Sequence, residues 1–117
     1  MAFTFGKALV DPGADDTIFP FDVASLLGAP LLPATNHSMR WQGQRFALRY
    51  GAVSLELEDD NGSLIRWPTI VGFTSAAIRY PLLGVAGCLE YFDVTFLGAG
   101  QQMEIEPNST FPGAVQP

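Results

Sequence analysis

Short apolar runs, many of them alternating with polar residues and cut off by Gly, Pro, Asn or Asp, fill most of this chain. A period of two predicts strands rather than helices for most of the length. At the start Phe3 and Phe5 alternate around Thr4, Gly6 and Lys7 offer a tight turn, and "ALVD" (Ala8 to Asp11) follows as a short buried strand. "FDVASLLG" breaks the pattern: Val23, Leu26 and Leu27 fall on one face of a short helix, with Gly28 as its stop. Pro30 and Pro33 keep the next stretch extended. From Thr35 to Tyr50 the pattern is that of a hairpin with "WQGQ" (Trp41 to Gln44) at its tip and Trp41 exposed. "VSLELEDDNGSLIRW" is a second hairpin, because Val53, Leu55 and Leu57 alternate with polar residues and Asn61-Gly62 is a favoured turn dipeptide. "TIVGF" reads as a strand buried on both faces, "AIRYPLLG" as an apolar strand ending at Gly84, "VAGCLEYF" as a short helix and "FDVTF" as a strand. "GAGQQ" turns the chain into "MEIE", after which "PNSTFPGAVQP" has the composition of a loose tail.

Strands with one or two short helices, each helix following a loop, describe an all-β domain: a small closed or partly open β-barrel. The length of 117 residues fits one domain, and 48% hydrophobic residues with nine Phe supply an ample core. The domain is expected over residues 1–106, with 107–117 as a flexible tail. A net charge of −6 repels phosphate backbones and anionic lipid, which argues against nucleic acid and membrane surfaces as partners. The lone Cys88 has no internal disulfide partner and suits a small core position, no zinc ligand set surrounds it, and the opening "MAFTFGKALV" lacks the apolar run of a signal peptide. A cytoplasmic location is the expectation, under which "NHS" at Asn36 and "NST" at Asn108 stay unglycosylated. "EDDNG" (Glu58 to Gly62) lacks the ligand spacing of a calcium loop and reads as a turn. His37 has no Ser or Cys partner in a nucleophile motif and reads as a surface side chain, while Trp67 before Pro68 reads as packing. "DPGA" taken alone suits a type II turn.

Two stretches together say more. "ALVDPGADDTIF" (Ala8 to Phe19) and "PLLG" followed by "CLEYFDVTF" resemble the retropepsin-like aspartic proteases, single-domain relatives of retroviral protease that also occur in bacteria. The family's active-site motif is two or three apolar residues, Asp, Thr or Ser, Gly, Ala, often Asp-Asp, then an apolar residue; this chain matches except at Pro12. Its second signature is an apolar pair before Gly, here Leu82, Leu83 and Gly84, and the likeness spans residues 7–106.

The resemblance implies an acid-protease barrel and an aspartic endopeptidase acting on a peptide or protein substrate. Two carboxylates held close together share one proton, so one activates a water while the other protonates the substrate carbonyl. One chain offers one such residue, Asp11, so catalysis implies a homodimer with Asp11 of each protomer on the two-fold axis. By the same likeness Pro12 and Gly13 form the active-site loop, with Gly13 letting the backbone approach the water. Ala14 and Asp15 line the substrate cleft, the tip of Trp41, Gln42 and Gly43 closes over the peptide, and Leu82, Leu83 and Gly84 support the loop from behind. No metal or organic cofactor is implied. Three departures matter. Pro12 replaces the Thr or Ser whose hydroxyl and backbone N–H grip the second chain, and proline has neither. Only about one short strand precedes the motif where family members usually carry one more, which implies either a fragment or an edge supplied by the "MEIE" strand and the tail. Val85 stands where retroviral members carry an Arg, which leaves Asp16 to pair with Arg79 or Arg66 or to stay solvated. The alternatives are a catalytically impaired relative that keeps peptide binding or dimerisation, and an unrelated small β-barrel binding protein. Dimerisation separates the last from the others, and Asp11-dependent cleavage separates the first two.

Overall fold

The computed structural model describes residues 4–100 and 102–113 and is mostly β. In chain order the elements are β1 (Leu9–Val10), β2 (Ile18–Pro20), α1 (Phe21–Leu27), β3 (Ser38–Trp41), β4 (Gln44–Glu58), β5 (Leu64–Thr74), β6 (Leu82–Leu83), β7 (Phe92–Leu97) and β8 (Gln102–Pro107). Six strands make one curled sheet in the order β1-β6-β2-β5-β4-β3, and β7 pairs with β8 apart from it. The sheet is a half-barrel with β1 and β3 as its edges, so the barrel is open rather than closed.

β4 is the spine. Its first residues pair with β3 from Trp41↔Gln44 to Ser38↔Ala47, and the rest pairs with β5 from Leu48↔Thr74 to Glu58↔Leu64. The β3–β4 turn falls on Gln42 and Gly43, both left-handed (φ 51° and 80°), as a tight two-residue hairpin turn requires. The β4–β5 turn is longer than a two-residue Asn61-Gly62 turn. Asp59 and Ser63 still pair through their backbones, and Gly62 takes the left-handed position (φ 83°) of a three-residue loop. Asp59 Oδ1 accepts the N–H groups of Asn61 and Ser63 at 2.9 and 2.8 Å, so this acidic stretch is a self-capped turn.

Two core clusters meet at β6. Leu82 packs with Ile18, Leu48, Ala76 and Ile78, whereas Leu83 packs with Trp67, Cys88 and Phe92. Successive strand residues face opposite ways, so a two-residue strand buried on both faces joins these two clusters, while a third is built from Val23, Ala24, Val71 and Phe73.

Several local expectations are corrected. Thr4 and Phe5 are not a strand, although Phe5 lies against Phe19 at 5.9 Å, and Phe3 is outside the described residues. Leu9 in β1 is exposed, because β1 is a sheet edge. α1 stops at left-handed Gly28 as expected, but its inner face is Val23 and Ala24 with Leu27 beside them. At 100° per residue Leu26 points about 60° outside that arc, and it is half exposed. In "TIVGF" Ile70 is exposed, and both faces are buried only from Val71 to Thr74. "AIRYPLLG" is strand only at Leu82–Leu83. "VAGCLEYF" is not an α-helix: Gly87 is left-handed (φ 90°) against the Ile70 carbonyl, and only a 3₁₀ turn, Leu89–Tyr91, forms. The segment after β8 is docked rather than loose as far as Gly113. Asn108 and Thr110 side chains donate to the Glu90 carbonyl, and the Phe111 ring packs at a tilt against Trp67 and Phe92. Gln101 of the "GAGQQ" turn and residues 114–117 of the expected tail are outside the described residues.

Candidate functional site

Asp11 ends β1. Its N–H donates to the Leu83 carbonyl at 3.0 Å, which continues the parallel pairing Leu9↔Leu82 and Val10↔Leu83 by one step. The chain then turns on Pro12 and Gly13, and the Ala14 N–H closes the turn on the Asp11 carbonyl at 3.0 Å. Gly13 has no positive φ, which rules out the type II turn expected of "DPGA" in isolation. Proline's fixed φ and missing N–H suit the first central position of the turn that does form. The Gly13 N–H donates to Asp11 Oδ1 at 3.0 Å and so orients the carboxylate, and a Cβ on Gly13 would stand 3.3 Å from that oxygen. Asp11, Pro12, Gly13 and Asp15 are exposed, with Ala14 half-buried.

The loop closes around Gly84. Val85 and Ala86 N–H groups donate to the Ala14 and Asp15 carbonyls at 3.0 and 2.8 Å, and the Thr17 N–H donates to Ala86. Thr17 is fully buried, and its hydroxyl accepts the Gly84 N–H at 3.3 Å and donates to the Gly84 carbonyl at 3.4 Å. A Cβ on Gly84 would lie 2.1 Å from the Asp16 carbonyl oxygen, so only glycine fits. Leu82 and Leu83 are buried directly behind. The structure therefore brings the loop from Asp11 to Asp15 against the segment from Leu82 to Gly84, through the pairing of β1 with β6, the Asp11–Leu83 bond and the Ala14–Val85 and Asp15–Ala86 bonds.

The hairpin tip is placed differently from the expectation. Trp41 is half-buried and packs against the cluster containing Ile18, Leu48 and Leu82, while Gln42 and Gly43 remain exposed. The link between hairpin and loop runs further back. Tyr50 of β4 donates its hydroxyl proton to Asp16 Oδ2 at 2.8 Å, and His37 Nδ1 lies 3.2 Å from the same hydroxyl. Burial, then the hydrogen bond and charge of Asp16, push the Tyr50 phenol well above its ordinary value. Asp16 thus has a phenol for a partner. Arg66 pairs with Glu56, its Nε 2.9 Å from Oε2, and the Arg79 guanidinium sits over the Tyr80 ring. His37 is exposed as expected, yet it is bonded and meets Tyr50 edge-on at 5.5 Å. Nothing in the local sequence marks Tyr50, which only ends the mixed polar and apolar arm of the hairpin pattern from Thr35 to Tyr50.

Asp16 and Tyr50 also line an open groove of about 500 Å³, together with Ala52, Ile70, Gly87 and Glu90. Behind it Trp67 is fully buried and donates its indole N–H to Gly87, which bears out its packing role. Cys88 is a buried core thiol, and burial pushes it up to about 12.

Fold and site define a small, mostly β half-barrel with an exposed aspartate turn braced from behind by a glycine-centred loop. No family model, curated protein or solved structure matches the chain. No helix among the described residues is long and apolar enough to cross a membrane.

Proposed function

We propose that the chain is a retropepsin-like aspartic endopeptidase that works as a homodimer, using a water held between Asp11 of one protomer and Asp11 of the other. The observation that carries this reading is the setting of Asp11. An exposed carboxylate, oriented by the Gly13 N–H, ends a strand whose loop is locked around Gly84 and backed by Leu82 and Leu83.

In such a dyad the two carboxylates hold one proton between them. The ionised carboxylate takes a proton from the water as its oxygen bonds to the scissile carbonyl carbon, and the protonated one gives its proton to the carbonyl oxygen. Collapse of the resulting diol breaks the C–N bond: the nitrogen takes a proton from the dyad and a diol hydroxyl returns one. No metal or cofactor enters the proposal.

Pro12 favours a second reading, a peptide-binding or dimerisation module with impaired cleavage. Without the N–H and hydroxyl of a Thr or Ser, about four cross-chain hydrogen bonds per dimer are lost, worth ~4 kcal/mol in all. The test is cleavage of a mixed unstructured peptide pool from pH ~3.5 to ~7, across the carboxylate titrations. The parent is compared with Asp11→Asn and Pro12→Thr. Cleavage by the parent that Asp11→Asn abolishes supports the protease. Cleavage by Pro12→Thr alone supports the impaired relative, and cleavage by none of them refutes the first reading.

A further inference from the structure

We propose that Asp16, Tyr50 and His37 form a clasp that ties the loop carrying Asp11 to the root of the β3–β4 hairpin, with Tyr50 as the positioning residue. Its consequence for catalysis rests on the protease reading; the clasp itself does not.

The direction of the hydrogen bonds follows from proton counting. Tyr50 has one hydroxyl proton, and an ionised carboxylate only accepts, so that proton goes to Asp16 Oδ2 at 2.8 Å. The phenol oxygen is then an acceptor toward His37, 3.2 Å away, and the imidazole must carry a proton on Nδ1. The geometry therefore selects the Nδ1–H tautomer. Burial and Asp16 push the phenol above its ordinary value, which favours the protonated form that donates to Asp16.

Each end of the clasp is fixed by backbone. His37 donates its N–H to Thr35 Oγ1 at 3.2 Å and accepts the Leu48 N–H on its carbonyl at 3.0 Å, just before β3 begins. Asp16 bridges to Ala86, beside the glycine that the loop encloses. Between them lies β5, where Gly72 is paired with both Ile18 and Tyr50. Gly72 has no side chain, and Tyr50 Cε1 lies 3.6 Å from the place a Cβ would take. The phenol therefore lies beside a bare position of β5, between its own strand and Asp16 near β2. A shift of the hairpin root has to move Tyr50, and with it the end of the Asp11 loop.

The test is Tyr50→Phe in the full chain, with His37→Gln at the exposed end as the second variant. Nitrogen-15 shifts of the His37 ring read the tautomer, and amide hydrogen exchange at Leu48 reads the hairpin root, with Val71 as a core reference. Expected are the Nδ1–H tautomer in the parent, its loss in Tyr50→Phe, and Leu48 exchange about 10-fold faster or more in both variants at unchanged Val71 exchange. A parent His37 in the Nε2–H form, or Leu48 exchange unchanged in both variants, overturns the clasp. In a parent that cleaves peptide, Tyr50→Phe lowers kcat about tenfold with KM within about twofold; an unchanged kcat overturns the positioning role. In a parent that does not cleave, the tautomer and exchange readouts decide alone.

Discussion

Gly84→Ala is the sharpest test of how the Asp11 loop is held. The added Cβ would stand 2.1 Å from the Asp16 carbonyl oxygen and 2.7 Å from the Ala14 carbonyl oxygen, against ordinary contacts of 3.4–4 Å. The obstacles are backbone atoms, so the loop must retreat by more than an ångström rather than a side chain swing aside. That retreat pulls on the two Thr17 hydroxyl contacts to Gly84 and on the Val85 and Ala86 N–H bonds to the loop. At about 1 kcal/mol each, with overpacking of ~1–3 kcal/mol in place of any bond that survives, the cost is ~4 kcal/mol. The expected stability of a domain this size is about 5–15 kcal/mol, so the variant remains folded in water but loses much of its margin. With a urea slope of ~2 kcal/mol per molar, the midpoint falls by ~2 M. Equilibrium unfolding followed by tryptophan fluorescence reads this, since Trp67 is fully buried. Gly6→Ala is the control, with nothing within 4 Å of its Cβ, and changes stability by less than about 0.5 kcal/mol. A Gly84→Ala midpoint within about 0.5 M of the parent would refute the account of the loop.

Two further outcomes follow from the packing behind the site. Phe111→Ala removes a half-buried ring 5.9 Å from Trp67 and 5.5 Å from Phe92, and costs ~2 kcal/mol with a changed near-ultraviolet dichroism; a change below about 0.5 kcal/mol would mean the segment after β8 does not brace the core. Cys88, raised by burial to about 12, keeps its thiol protonated in the fold while the unfolded chain ionises near its ordinary value of 9.0. Its contribution is therefore complete below that value and is lost as pH rises toward 12, at about 1.4 kcal/mol per pH unit. Cys88→Ala should flatten the fall of the urea midpoint between pH 9 and 11, and an identical slope in parent and variant would contradict the burial argument.

The long hairpin of β4 and β5 was legible because one face of it is half-buried and the other wet, which writes a period of two at Val53, Leu55 and Leu57. Where the chain is buried on both sides, that signal fails. "VAGCLEYF" has helical spacing, but Gly84 just before it and Gly87 within it are there because the Asp16 and Ile70 carbonyls approach them, and those atoms come from distant parts of the chain. "PNST" has the composition of a tail, yet Asn108 spends its amide on the Glu90 carbonyl and accepts from the Thr110 N–H at 2.9 Å. Polar residues read as solvated when their partner is a backbone carbonyl that composition cannot show.

The candidate site divides along the same line. The Asp11 turn is made by bonds two and three residues apart, so "DPGA" carries most of its own geometry, including the glycine that the carboxylate approaches. Asp16 and Tyr50 are 34 positions apart and meet only because Ile18, Gly72 and Tyr50 share one register line across three strands. A slip of one residue in either pairing would turn Tyr50 or Asp16 to the other face, leaving the carboxylate to seek a cation. Reading charge alone, Arg79 or Arg66 were the natural partners for Asp16. The fold instead assigns a neutral donor, because Tyr50 packs against the same cluster as Ile18 and Leu82 while Arg66 is drawn to Glu56 across the hairpin. The partner of a half-buried carboxylate is set by strand register before it is set by charge.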